Sequence, residues 1–314
     1  MQIALINFHH ADTGTGGVES RYRMIERALT AAGHECKFLS TEHLCVEDAI
    51  LLVNSCDLAI SDSAVCLESP CPMISIFGNP WHAVIAVHPD THIDQVIRRE
   101  KLWHHTHKTY RLAVSNFMVH EMGLNGIRCD RVLPNPADTS RFPEKSEKDY
   151  PHVVVWIGPR IPIKNRDQFT LISQTWVDLF PEMPVQWVAV ERNAPDKLSY
   201  NQMTDQLRRS SAVLCTSWAE GCSNTLMEAL AANVPIVTTE AGLFWDWWDD
   251  RFGLRIKNPS STGEFLRQIH YVLTHQQDYS PREAVMENGL DYDAWAKQWQ
   301  DLVIEVVDSP TVEE

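Results

Sequence analysis

No stretch of the chain stays apolar for the roughly 20 residues that a bilayer-spanning helix needs. No secretory leader is expected either: Met1 runs straight into a strand pattern, with no basic head and no long apolar core. The eight Cys stand at 36, 45, 56, 66, 71, 129, 215 and 222, without a Cys-x-x-Cys pair or a His/Cys cluster at zinc spacing. That spacing argues against a structural metal. Several of these Cys sit in apolar runs, where they behave as small hydrophobes. Together the absences point to a reducing cytoplasm.

Positive charge is also in short supply. Lys plus Arg total 27 against 42 Asp plus Glu, a formal net of −15. This balance disfavours, without forbidding, DNA, RNA or an anionic membrane surface as the main partner. A nucleotide is compatible with it. Screening confines surface fields to about 8 Å, so a local pair of cations can dominate. The sequence has no internal repeat and no low-complexity tract.

What is present is enough for two domains of ordinary size: 314 residues, 44% of them apolar. Residues 2–8 are a near-continuous apolar run of the kind found in parallel sheets. His9-His-Ala-Asp-Thr-Gly-Thr-Gly-Gly17 follows, made pliable by its three Gly. Residues 19–32 then place Met24, Ala28, Leu29 and Ala32 on one helical face, and Gly33 ends that helix. Residues 36–39 read as the next strand. Strand, Gly-rich turn, helix, strand is a βαβ unit and implies a parallel sheet. The loop itself is neither GxGxxG nor a P-loop, and its plainest reading is a flexible turn.

Further helices are expected at 46–53, 116–122, 168–179, 203–209, 262–273 and 292–304, and strands at 57–60, 73–77, 110–115, 153–157 and 185–190. Ser115 is placed to cap the helix that follows it. The stretch 88–107 holds five His without metal spacing and reads as a partly exposed helix. Glu144-Lys-Ser-Glu-Lys-Asp149 is linker-like, which sets a boundary near residue 146: one domain over 1–146 and a second over 147–291. The aromatic run Leu243-Phe-Trp-Asp-Trp-Trp248 reads as packed core or an interdomain contact, with a sugar-stacking surface as the other option. Residues 308–314 form an acidic, frayed tail.

The most informative stretch runs from Ser217 to Val237. Val213-Leu-Cys and Ile236-Val-Thr-Thr239 are short apolar runs typical of buried strands. A helix is expected between them over about 224–232, stopped by Asn233 and Pro235. Ser223 is placed as its N-cap, with the hydroxyl accepting from a first-turn amide. A helix start with free N–H groups and a positive dipole end is an anion site. Asn224, Thr225 and Glu228 share a face. Four residues of helix rise roughly 6 Å, which suits a diphosphate at the start and a ribose diol one turn on. Glu220, ahead of the helix, is left to meet something on the far side of the phosphates. Upstream, Gly158-Pro-Arg-Ile-Pro-Ile-Lys-Asn165 follows a buried strand pattern. Arg160 and Lys164 lie four apart on a loop where open α/β sheets bind ligands, and can straddle a diphosphate. The plain alternatives are solvated cations and a solvated Glu on a helix face.

Glu220-Gly-Cys-Ser-Asn-Thr-Leu-Met-Glu228-Ala-Leu-Ala resembles the Glu-x7-Glu motif of the retaining glycosyltransferases of family 4, usually written EGFxNxxLEAMA. Gly16-Gly-Val-Glu19 and Gly33-His-Glu35 resemble that family's opening, and Val-Leu-Pro-Asn-Pro-Ala-Asp-Thr-Ser-Arg-Phe142 its interdomain passage. The resemblance covers nearly the whole chain. It implies a GT-B architecture: two Rossmann-like α/β domains with parallel sheets facing across a cleft, and a last helix, about 292–307, packing back on the first domain. It implies that Glu220 lies beside the donor sugar and Glu228 holds the ribose. It places the amides of Ser223, Asn224 and Thr225 on the donor, and closes Gly16 and Gly17 over its phosphates.

In the family, Gly-Arg-x4-Lys binds those phosphates. Aligned on Gly158 and Lys164, this chain has Pro159 at the Arg position and Arg160 one place late, so Lys164 is the firmer assignment. Glu191-Arg-Asn stands where the family places Gly against the base, which leaves the nucleotide open. A His after a first-domain strand often faces the reacting sugar; His82 is the candidate, with His9 and His10 also at a strand end. The resulting expectation is a cytoplasmic, metal-independent, retaining glycosyltransferase without a cofactor. It would move a sugar from a nucleotide-diphosphate donor to an unidentified acceptor hydroxyl. A GT-B-fold nucleotide-sugar epimerase and a non-catalytic nucleotide-sugar binding protein are the alternatives.

Overall fold

A computed structural model describes residues 1–7, 17–40, 46–63, 71–78, 80, 101–103, 109–142, 152–191 and 198–309. The expectations for His9, His10, Gly16 and His82, for the charged run 144–149 and for most of 88–107 lie outside these residues. The chain forms two units, Met1–Pro134 with Asp293–Glu314, and Asn135–Tyr292.

The first unit is built on a parallel sheet of six strands, β1 (Gln2–Asn7), β2 (Glu35–Ser40), β3 (Leu58–Asp62), β4 (Met73–Phe77), β5 (Thr109–Ala113) and β6 (Arg131–Val132), in the order β2-β1-β3-β4-β5-β6. The apolar run of β1 is continuous because both its faces are covered, and Ile3 to Ile6 are wholly buried. Helix α1 (Gly17–Ala31) buries Tyr22, Met24, Ile25, Ala28 and Leu29. It stops where Gly33 takes φ 83° and His34 N–H turns back to Leu29 O. The next helices are α2 (Val46–Asn54) and α3 (Asn116–Leu124), and Ser115 Oγ caps α3 by accepting from Met118 N–H at 3.2 Å. Arg21 on α1 is buried and meets the Asp62 carboxylate at the end of β3, 3.2 Å away. Gly78 lies directly beneath that guanidinium, in space a side chain would need.

The second unit holds a parallel sheet of five strands, β7 (His152–Gly158), β8 (Val185–Glu191), β9 (Ala212–Cys215), β10 (Ile236–Thr239) and β11 (Gly253–Ile256), in the order β11-β10-β9-β7-β8. Helices α4 (Arg166–Leu179), α5 (Tyr200–Arg209), α6 (Asn224–Ala231), α7 (Thr262–Thr274) and α8 (Pro281–Glu287) link and cover the strands. Val154, Trp156, Phe169, Trp176, Leu214 and Phe265 are central members of its core. From β7 the chain leaves to β8 on one side, while β9 pairs with β7 on the other and leads on to β10. The carboxyl ends of β7 and β9 therefore flank a topological switch point, where open α/β sheets bind ligands.

Contacts divide the chain between Pro134 and Asn135. Asn135–Phe142 is bonded into the second unit and does not act as a linker to it. Ala137 bridges to Asp291, with Ala137 N–H on Leu290 O at 2.8 Å. The Arg282 guanidinium donates to Thr139 O (2.7 Å), Ala231 O (2.6 Å) and Phe142 O. The last helix, α9 (Tyr292–Asp308), buries Trp295, Trp299, Leu302 and Val303, and Gln300 Nε2 donates to Ala28 O of α1 at 2.9 Å. β11 and α8 are additions to the elements expected from sequence. Gly253, with φ 140°, opens β11 because a Cβ there would strike Ile236 O.

Candidate active site

β7 ends at Gly158, and the chain then makes a 3-10 turn over Pro162–Lys164 before α4 begins. Asn165 between them is left-handed (φ 48°, ψ 51°), a conformation that Asn tolerates better than most residues. Thr216, just beyond β9, ties this turn to its own loop. Its hydroxyl accepts from Trp156 Nε1 (3.1 Å) and lies 2.9 Å from both Lys164 O and Asn165 O. Trp218 N–H donates to Ile163 O at 2.8 Å. So laced, the two loops bring Lys164 Nζ to 2.5 Å from Glu220 Oε1, with the side chains 21% and 10% exposed. A Cβ at Gly158 would make only ordinary contacts with the Trp156 ring (3.4 Å) and Lys164 Cγ (3.7 Å), so the ring and the Lys164 stem pack close beside the strand end.

The Glu220 loop is held on two further sides. Asn135 Nδ2 donates to Cys222 O at 2.8 Å, and Thr239 Oγ1 donates to Ser217 O at 2.7 Å. Gly242, at φ 61°, backs onto the loop so closely that a Cβ would lie 2.5 Å from Gly221 O and 2.8 Å from Glu220 O. Beneath the loop, burial pushes the Cys215 thiol pKa up, and the Glu220 charge adds to that shift.

Helix α6 starts at Asn224, as expected, and Asn233 in the left-handed region (φ 58°) follows its end. Ser223 occupies the N-cap position with extended backbone, but its hydroxyl makes no capping bond. The expected side-chain cap is absent; the Ser223 carbonyl instead receives Leu226 N–H and Met227 N–H, each at 3.1 Å. Asn224 is buried, whereas Thr225 and Glu228 keep partial exposure, so these two carry the accessible side of the expected face. Arg160 is exposed and takes no ion pair among the described residues; it does not join Lys164 and Glu220. Gly17 is the first residue of α1 in the other unit.

Glu191 ends β8 in register with Gly158. Its carboxylate lies 3.8 Å from Arg166 Nε, and the Arg166 guanidinium sits 4.9 Å from the Phe169 ring centre and 5.5 Å from that of Trp156. Sequence reasoning passed over Asn135, Thr216 and Gly242 as supports. Each is an ordinary residue whose role comes from a contact across the fold, and only the Gly after a strand gave any local signal. The aromatic run divides. Phe244, Trp247, Trp248 and Phe252 pack edge-on or tilted against one another, while Trp245 stays exposed. Among the described residues no group of three or more His, Cys, Asp or Glu could hold a metal ion. No helix of the described residues is long and apolar enough to cross a membrane.

No protein-family model matches the sequence, and no curated protein matches it. Solved structures do. A sucrose-phosphate synthase from Thermosynechococcus elongatus superposes with a TM-score of 0.78 at 14% identity, over 97% of this chain and 98% of its own. HepE from Anabaena, solved with UDP and glucose, gives 0.72 at 12% identity over 97% and 99%. The lipopolysaccharide outer core galactosyltransferase WaaB gives 0.64 at 16% identity over 97% and 99%. The fold is thus that of the GT-B glycosyltransferases, two parallel-sheet α/β domains.

Proposed function

We propose that the chain is a retaining, metal-independent glycosyltransferase acting in the cytoplasm on a nucleotide-diphosphate sugar. The observation that carries this reading is the Lys164–Glu220 contact at the switch point of the second sheet, with Glu228 one helical turn beyond the start of α6. Lys164 is the cation for the diphosphate, with the first-turn amides of α6 beside it. Glu228 accepts from the ribose hydroxyls, and Glu220 orients the sugar. HepE, of the same fold, was solved with UDP-glucose, which makes UDP-sugars the first donors to test.

In the reaction the anomeric C–O bond to the diphosphate breaks and the acceptor oxygen forms a bond on the same face of the sugar. The departing phosphate oxygen takes the acceptor's proton. Lys164 and the amides stabilise the charge that builds on the leaving group, with no need for a bound cation. Arg160 and Gly158 border the same strand end.

The test is incubation with UDP-, GDP- and ADP-sugars, following nucleoside diphosphate release and the anomeric configuration of the product by NMR. A retained configuration, with Lys164→Ala and Glu228→Ala each lowering kcat/KM for donor by about 100-fold or more, is the expected result. Unchanged donor kinetics in both variants refute the assignment. An epimerised donor with no transfer refutes the reaction.

A further inference from the structure

Helix α6 carries the amides and the Glu228 carboxylate on which the donor reading depends, yet little in its own sequence fixes its place. It is eight residues long, too short to be stable alone. Leu226, Met227, Ala229, Leu230 and Ala231 are buried. Such burial is non-directional, so it holds the helix down better than it sets its axial position. The start is not pinned by its own cap, because the Ser223 hydroxyl makes no capping bond.

Both ends of α6 are held instead through one strip of chain, Asn135–Phe142. At the front, Asn135 Nδ2 donates to Cys222 O at 2.8 Å, one residue before the N-cap. At the back, Arg282 Nη1 donates at 2.6 Å to Ala231 O, the carbonyl of the last helical residue. The same guanidinium donates to Thr139 O at 2.7 Å and to Phe142 O, which fastens the strip to the helix end. The Arg282 N–H donates to Asn233 Oδ1 at 3.3 Å, just past that end. Carbonyls at a helix terminus have no partner within the helix, and a planar fork can hold several at once where an ammonium cannot. The strip is stiff. Ser140 Oγ donates to Asp138 Oδ1 at 2.6 Å, and Phe142 N–H to Asp138 O at 3.3 Å. Ala137 is bonded on both sides, its N–H to Leu290 O at 2.8 Å and its carbonyl to Tyr292 N–H at 3.1 Å.

We propose that Asn135 and Arg282 are positioning residues for donor use, an inference that rests on the glycosyl-transfer reading above. With the strip between them they form a splint that fixes where α6 begins and ends. The splint thereby sets where the first-turn amides and Glu228 meet the nucleotide. Neither side chain touches the donor. Misplacing a binding group by about 1 Å can cost on the order of 100-fold in rate, so anchors remote from the chemistry are felt in turnover.

Asn135→Ala and Arg282→Lys, the second keeping the charge and losing the fork, test the splint. Each should lower donor kcat/KM by about tenfold or more, with the acceptor KM changed by less than about twofold. The anchors stand one helix length apart, roughly 12 Å, where independent substitutions add. Acting through one rigid helix, they should not add: the double variant should lose little more than the worse single one. Amide hydrogen exchange at residues 224–227 should quicken by about tenfold or more in each variant. Ile269→Val is the control, since Ile269 is buried in a core cluster that holds no residue of α6. It should lower Tm without changing donor kinetics or exchange at 224–227. Additive losses in the double variant, losses no larger than those of Ile269→Val, or unchanged exchange at 224–227 overturn the proposal. If the parent releases no nucleoside diphosphate from any donor while both variants still quicken that exchange, the glycosyl-transfer reading falls and the splint stands.

Discussion

Lys164 Nζ lies 2.5 Å from Glu220 Oε1 and joins loops 56 residues apart in sequence. The group expected to hold the diphosphate is thus already neutralised by the group expected to face the sugar. A diphosphate entering this site must share Lys164 with Glu220. Removing the carboxylate charge should then separate binding from turnover. Glu220→Gln should tighten UDP binding by about three- to tenfold, measured by calorimetry, while transfer falls. Lys164→Ala should weaken both. Weaker UDP binding by Glu220→Gln would show that the carboxylate does not compete for the ammonium.

Thr216 carries a second prediction. Its hydroxyl is the acceptor for the buried Trp156 Nε1 and reaches the carbonyls of Lys164 and Asn165. Thr216→Val keeps the shape and strands the indole N–H, at a cost of about 1–3 kcal/mol. Donor KM should rise with the loss of stability, because the turn bearing Lys164 is released. A Tm and KM both equal to the parent's would show that the hydroxyl is dispensable.

Gly242 and Gly33 make a matched pair. Both have positive φ, 61° and 83°, but a Cβ at Gly33 meets nothing within 4 Å, whereas at Gly242 it would meet Gly221 O at 2.5 Å. Gly33→Ala should cost only the backbone strain, on the order of 1 kcal/mol, and leave turnover in place. Gly242→Ala should cost more than that and lower kcat, since the Glu220 loop must move. Equal effects of the two on kcat would detach Gly242 from the site.

Asp249 gives a pH dependence. Its carboxylate accepts from Arg251 Nε (3.0 Å), Nη2 (2.7 Å) and N (3.0 Å), and from Asn288 Nδ2 (3.0 Å). These bonds, those from the Arg251 side chain first, pull its pKa down to about 2. The folded value lies below the unfolded value of about 3.9, so the stabilisation is present above that pH and is lost as pH falls towards 2. Asp249→Asn should lower stability at pH 7 by on the order of 1 kcal/mol, a size set by the exposure of the pair. In urea titrations the gap should narrow between pH 4 and pH 3. A gap that persists unchanged at pH 3 would refute the linkage.

Much of the second unit was legible from local pattern. β9, α6 and β10 fall within a residue or two of expectation, because a short apolar run, a helix and a stop at Asn233 are all encoded nearby. Glu220 and Lys164 were legible as candidates; their contact was not, because it depends on β7 and β9 being neighbours in the sheet. The division by contacts at Asn135 has no local signal for a similar reason. A charged run looks like a linker, but whether Asn135–Phe142 belongs to the second unit is decided by Arg282, some 140 residues away. Ser223 was read correctly as a position and wrongly as a bond. The helix accepts a Ser there, yet the carbonyl rather than the hydroxyl receives the first amides.

The first unit draws its final helix from the far end of the chain, whereas Asn135–Tyr292 is one unbroken segment. On the ribosome the earlier sheet therefore emerges first but lacks Trp295, Trp299 and Leu302 until the whole second unit has been made. The later-encoded unit has all its parts as soon as residue 292 clears the tunnel. Order of translation and order of completion are inverted, and the nascent first sheet is the part that needs protection from aggregation in the interval.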